Sequence, residues 1–288
     1  ANLCWIYDDN KITIEGETDL AFTENVGLRF KAYGWNVLKV DDANDTAALS
    51  AALKRFTRTK NMPTLIIVKS QIGYGAPNKA GSHKAHGEPL GDEEIRLTKA
   101  AYCWTGDAFC VPDEVYEHFR SGIGARGAKL YKAWKRKLKA YAKDHPELAA
   151  ELHAIEHRDL PADWEAALPV FPADPKGTAT RASSGKVLNA VAAKVPWLIG
   201  GSADLAHSTN TLLTFDGAGD FEPDNYAGRN FHWGIREHGM AAALNGMALC
   251  GVRPYGATFF VFTDYMRPSM RLSALMRLPV LYVLTHDS

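Results

Sequence analysis

Short β-branched or apolar runs alternate along the chain with longer stretches whose apolar residues recur every three or four positions. The short runs predict strands over residues 3–7, 36–40, 65–69, 198–201 and 280–285. The longer stretches predict helices over 20–33, 46–58, 93–103, 112–119, 129–143, 181–194 and 236–249. Strands that alternate with helices of this length predict an α/β protein with parallel sheets. The first residues read as a strand already under way, and the last predicted strand ends three residues before Ser288. The expectation is a piece of a longer protein, open at both ends.

Composition narrows the class. A chain of 288 residues with 46% hydrophobic content can hold one large α/β unit or two ordinary domains. Lys+Arg and Asp+Glu each total 33, so no global field points to nucleic acid or an anionic membrane. The four cysteines show no CxxC spacing, which suits a reduced, cytoplasmic setting. No apolar run approaches the roughly 20 residues of a membrane-spanning helix.

Seven basic residues fall between Lys129 and Lys143, above an apolar stripe of Leu130, Trp134, Leu138 and Tyr141. A solvated helix face explains them better than nucleic-acid binding does. Prolines at 161, 169, 172 and 175 mark a linker. The expected division is one domain over 1–142, a linker over 143–176 and a second domain over 177–288.

Several clusters carry candidate chemistry. Gly234-Ile235-Arg236-Glu237-His238 is followed by Phe259, Phe262 and Tyr265 at spacing three. A carboxylate can share a proton with a ring nitrogen, and aromatic faces can hold a flat heterocycle. Each half also has a plainer account: a glutamate that satisfies a helix dipole, and an aromatic stripe in a core. Asp8-Asp9-Asn10-Lys11-Ile12 follows the first strand, where open α/β sheets bind ligands. Its oxygens suit magnesium or calcium, although an Asx-rich turn accounts for the same residues. Glycines and prolines keep His83 and His86 out of a regular helix, so proton transfer or phosphate binding suits them better than metal. Arg181 offers a planar donor set for a phosphate monoester.

Taken together and in order, these motifs resemble transketolase, a thiamine-diphosphate enzyme family, almost from end to end. The Glu237 block resembles its pyrimidine-domain signature. Gly73-Tyr74-Gly75, Gly81-Ser82-His83 and His86-Gly87-Glu88-Pro89-Leu90 match its histidine loop, and Gly200-Gly201-Ser202-Ala203-Asp204 follows a strand as it does there. The resemblance implies a thiamine-diphosphate-binding fold with parts of two such domains. These are the later part of the diphosphate-binding domain and the earlier part of the pyrimidine-binding domain.

It also implies roles. Asn10 and the Ile12 carbonyl would hold Mg2+ or Ca2+, with the aspartate-bearing half of that motif expected upstream. Ile14, His83, Asp204, Glu237, Phe259, Phe262 and Tyr265 would surround the cofactor, with Glu237 and His83 catalytic. His83, Arg181, Ser208 and His286 would bind the sugar phosphate. One departure is Ala206-His207-Ser208, where the family often has Thr-Pro-Ser. The implied reaction moves a two-carbon ketol unit from a ketose phosphate to an aldose phosphate in the pentose phosphate pathway. It would take place in a cytoplasmic homodimer with the cofactor at the subunit interface, and this chain alone is expected to be inactive. The alternatives are another thiamine-diphosphate enzyme, such as deoxyxylulose-phosphate synthase or a ketoacid dehydrogenase subunit, or a non-catalytic binding module. The first should lack the Gly81-Ser82-His83 loop and the Arg181/Ser208 pair.

Overall fold

The computed structural model describes residues 2–287. The chain divides into two compact units, Ala1–Gly122 and Ile123–Ser288. The first unit contains β1 (Cys4–Asp9), α1 (Val26–Ala32), β2 (Asn36–Val40), α2 (Thr46–Arg58), β3 (Thr64–Lys69), α3 (Asp92–Ala101) and α4 (Asp113–Phe119). Its three strands form a parallel sheet in the order β1-β3-β2. Leu38, Val40, Ile66 and Val68 pack with Ala52 of α2 to make its core. The central strand β3 is buried over five of its six positions, as its unbroken Leu-Ile-Ile-Val run requires.

The helix expected over 20–33 starts later than the apolar pattern suggested. A 3-10 turn occupies Thr18–Leu20, and α1 begins only after Asn25, whose side chain accepts the Leu28 amide. That cap satisfies an orphan helical donor, and so it decides the start.

A π-helical segment, Arg120–Gly124, follows α4. The second unit contains α5 (Ala125–Asp144), α6 (Pro146–His157), α7 (Thr180–Lys194), β4 (Leu198–Ser202), α8 (Ala206–Thr209), β5 (Asn230–His232), α9 (Glu237–Leu249), β6 (Arg253–Phe259), α10 (Thr263–Leu275) and β7 (Leu281–Thr285). Its strands form a parallel sheet in the order β5-β4-β6-β7. One core gathers Leu188, Ala192, Val195, Trp197, Leu213 and Tyr255, with Ala154, Ile155, Leu160 and Trp164 packed against it. Another joins Met240, Ala241 and Leu244 of α9 to Met266 of α10.

Five elements of this unit escaped the pattern: α6, α8, β5, β6 and α10. The sequence Arg-Pro-Tyr-Gly-Ala-Thr-Phe of β6 has poor strand propensity, yet it lies between β4 and β7. Its small residues answer to a packing demand. A Cβ on Gly256 would sit 2.4 Å from Leu244 Cδ1, so α9 can lie this close only over glycine. In α10, Pro268 inside the helix hid the helical signal.

Candidate functional site

All four strands of the second unit run parallel, so their carboxyl ends share one edge. The winding reverses between β5 and β6, on either side of β4, which is the position where such sheets bind ligands. Most residues singled out in this unit follow those strand ends: Asp204 after β4, Glu237 after β5, Phe259 through Tyr265 at β6, and His286 after β7, whereas Arg181 opens α7 ahead of β4.

Glu237 is the first residue of α9 and is only 7% exposed. Among the described residues its carboxylate has no hydrogen-bond or ion-pair partner. The α9 amides favour negative charge there, and the carboxylate is free to accept from a donor. The plainer account, a surface glutamate, does not fit this burial.

The three aromatics form a ladder rather than a helical stripe. Phe259 ends β6, Phe262 closes a 3-10 turn (Phe260–Phe262), and Tyr265 lies in the first turn of α10. Phe259 and Phe262 stack at 6.0 Å and 20°, and Phe262 and Tyr265 at 6.1 Å and 30°. Phe259 is buried, whereas Tyr265 is 65% exposed, so the ladder climbs out of the core. The Val261 amide donates to Asp287 Oδ1 at 2.7 Å, which ties the turn to the end of β7.

His286 meets Phe259 edge to face at 4.9 Å. It also lies beside Arg181, in the first turn of α7, with Nη1 at 3.2 Å from Nδ1 and 2.5 Å from Nε2. These two residues line a cavity of about 480 Å3 together with Ala179, Thr180, Ser184 and Thr285. The Arg181 guanidinium at this mouth suits an anion. Sequence reasoning missed Ser184 and Thr285. The Thr285 hydroxyl is buried without a partner, a signal that only coordinates carry. Ser208 is exposed on α8, which packs on β6 and β7, but it does not line this cavity. Asp204 is exposed, with a left-handed φ of 61°, just past the buried Ala203.

The first unit has its own cluster. Asn10 Oδ1 accepts the Ile12 amide at 2.9 Å in an Asx turn directly after β1. The histidine loop follows the adjacent strand β3. Gly87 of that loop faces Ile14, with 3.6 Å between the Ile14 Cγ1 and the position of a Gly87 Cβ. His83 opens a 3-10 turn (His83–Ala85) and is exposed. Glu94 of α3 anchors the loop by accepting from the Asn78 amide at 2.7 Å and its Nδ2 at 2.9 Å. Those bonds hold the Glu94 carboxyl below its ordinary value. At Gly75, φ is 85° and a Cβ would sit 2.6 Å from the Tyr102 ring, so the turn there needs glycine. Among the described residues, no group of three or more His, Cys, Asp or Glu side chains gathers for a metal ion. None of their helices is long and apolar enough to cross a membrane.

Residues 1–161 match the family description "Transketolase, thiamine diphosphate binding domain", and residues 176–288 match "Transketolase, pyrimidine binding domain". The chain belongs to the transketolase family. It is 54% identical over 285 residues to the transketolase of Geobacillus stearothermophilus, and 50% identical over 287 residues to that of Bacillus subtilis. Each match covers 98% of this chain and 42% of the relative, so the chain spans well under half the length of these transketolases.

Among solved structures, the Pichia stipitis transketolase in complex with sedoheptulose-7-phosphate aligns with a TM-score of 0.89 at 40% identity. That match covers 99% of this chain and 43% of the other. The Leishmania mexicana transketolase aligns with a TM-score of 0.91 at 37% identity, covering 99% and 42%. The expected family and the fold of parallel sheets flanked by helices are both borne out.

Proposed function

We propose that this chain is the central part of a transketolase that transfers a two-carbon ketol unit reversibly from a ketose phosphate to an aldose phosphate. The observation that carries the proposal is Glu237, a largely buried residue whose carboxylate has no donor among the described residues, at the strand edge that also bears the Phe259–Phe262–Tyr265 ladder. An acceptor without a donor, beside stacked aromatic faces, fits a protonatable flat heterocycle such as the pyrimidine of thiamine diphosphate. When bound, that cofactor would supply a carbon acid whose deprotonated form can attack a ketose carbonyl.

The chain's own residues prepare this chemistry. Glu237 would share a proton with a pyrimidine ring nitrogen, and the ladder would hold the ring by stacking. Arg181 and His286 would bind the terminal phosphate of the sugar at the cavity they line, whereas Ser208, expected to join them, lies outside that lining. His83 carries a proton near the donor sugar, while Ile14 and Asp204 border the cofactor. Asn10 Oδ1 and the Ile12 carbonyl oxygen would hold part of the shell of a hard cation, Mg2+ or Ca2+. The accompanying assignments are a diphosphate-domain part over 1–142, a linker over 143–176 and a pyrimidine-domain part over 177–288. The active species would be a cytoplasmic homodimer of the pentose phosphate pathway, with the cofactor at the subunit interface.

Glu237→Gln in the full-length protein tests the reading. The fold and sugar-phosphate affinity should persist while turnover falls about 10²–10⁴-fold, the usual contribution of a positioned acid–base group. Wild-type turnover at saturating thiamine diphosphate would overturn the assignment.

A further inference from the structure

Two histidines on α6 play no part in the site above. His153 and His157 are four residues apart, so they share one face of the helix. Their rings stack with centroids 3.9 Å apart and planes at 15°. His157 Nδ1 lies 2.8 Å from the His153 carbonyl oxygen. A carbonyl only accepts, so Nδ1 carries the proton and Nε2 of the neutral ring keeps its lone pair. A backbone carbonyl that holds one ring nitrogen is the arrangement that orients metal-bound imidazole through the other. Among the described residues the His153 ring has no hydrogen bond, ion pair or ring contact besides this stack, and both side chains are exposed to entering ions.

The helix beneath them is firmly held. Ala154 and Ile155 pack on the core of the second unit. The Arg158 carbonyl, at the C-cap of α6, accepts Arg253 Nη2 at 2.9 Å. The backbone positions of the pair are therefore set before any ion arrives, and only side-chain torsions remain to adjust.

We propose that His153 and His157 form a two-histidine chelating site for a borderline divalent transition ion, Cu2+, Ni2+ or Zn2+, with water completing the shell. Imidazole nitrogen suits these ions, whereas Mg2+ and Ca2+ take oxygen ligands, so the site differs in chemistry from the Asn10 and Ile12 oxygens. Coordination turns the rings about their broad χ2 torsions, from the stack to converging Nε2 edges. With two protein ligands the site is exchangeable. A bound ion cross-links the last turn of α6 and stabilises the folded state by mass action.

The test is calorimetric titration of Ni2+ into the full-length protein at about pH 7.5, above the ordinary histidine value. The forms compared are wild type, His153→Gln, His157→Gln and the double variant. Surface glutamines preserve the helix, and circular dichroism checks that they do. One saturable site in the wild type should weaken about 10²-fold in either single variant, because the second ligand acts at high effective concentration. The double variant should be no more than about 3-fold weaker than either single one, as two ligands to one ion require. Ni2+ should raise the melting temperature of the wild type alone, and equal Mg2+ should leave that difference unchanged. Equal affinity in wild type and His157→Gln, a loss confined to one histidine, or no saturable site would overturn the proposal.

Discussion

Replacing Arg229 by methionine should destabilise the second unit by about 3 kcal/mol. Arg229 is a half-buried cation without an anionic partner, and burial lowers its pKa from the usual arginine value. Its Nη2 reaches three carbonyl oxygens, those of Ala192 at 2.8 Å and Val195 at 2.8 Å at the end of α7 and that of Leu198 at 2.6 Å at the start of β4. The guanidinium also lies 5.0 Å from the Phe215 ring centre. One nitrogen carries two hydrogens, so three short contacts count as two full bonds. At roughly 1.5–3 kcal/mol per charged hydrogen bond, the gross gain is about 3–6 kcal/mol. Interaction with the negative helix end adds roughly 0.3–1 kcal/mol. Partial desolvation of the cation and the partnerless, buried Nε offset part of this, which leaves about 3 kcal/mol.

Methionine keeps most of the apolar stem, so the loss isolates the donors from the packing. Urea unfolding followed by fluorescence should show the change, because Trp197 lies buried in the same core. In a unit of this size the melting temperature should drop by roughly 6–12 °C. Lysine keeps the charge but not the planar donor fork, so it should recover about half of the loss. The consequence reaches the site, since α7 carries Arg181 at its opposite end. A methionine variant within about 0.5 kcal/mol of the parent would refute the clamp.

Arg181→Ala in the full-length protein should raise the Michaelis constant for phosphorylated sugars about 10–100-fold, with little change for an unphosphorylated donor such as hydroxypyruvate. Steady-state kinetics on both donors decides this, and equal losses would remove Arg181 from phosphate binding. Glu94 has its folded-state pKa depressed by Asn78, so its contribution is present above the unfolded glutamate value of 4.5 and is lost as pH falls through the folded value. Amide exchange at Asn78, compared between wild type and Glu94→Gln, should therefore converge in acid and diverge near neutrality. Equal exchange at neutral pH would show that Glu94 does not hold the loop.

Local sequence was enough to reveal α2, β2 and β3, because in each the periodicity, capping and burial agree. Asp45 caps α2, and the unbroken apolar run of β3 is what a strand covered on both faces needs. The family was legible for a different reason. Chemistry-bearing residues such as Glu237, His83 and Arg181 stand in short motifs whose order along the chain carries information even when each motif alone is weak.

What the chain's pattern could not reveal depends on distance in space. Strand β6 exists because β4 and β7 flank it and α9 presses on Gly256, a demand from elsewhere that overrides its poor propensity. The aromatics at spacing three suggest a helix, but a strand end, a turn and a helix start produce the ladder between them. Arg181 and His286 lie 105 residues apart, and only the parallel sheet brings them to one cavity with the partnerless Thr285 hydroxyl. A residue's type can be read from sequence, whereas its burial and partners belong to the assembled fold. Those two properties separate an ordinary surface glutamate from the one at position 237.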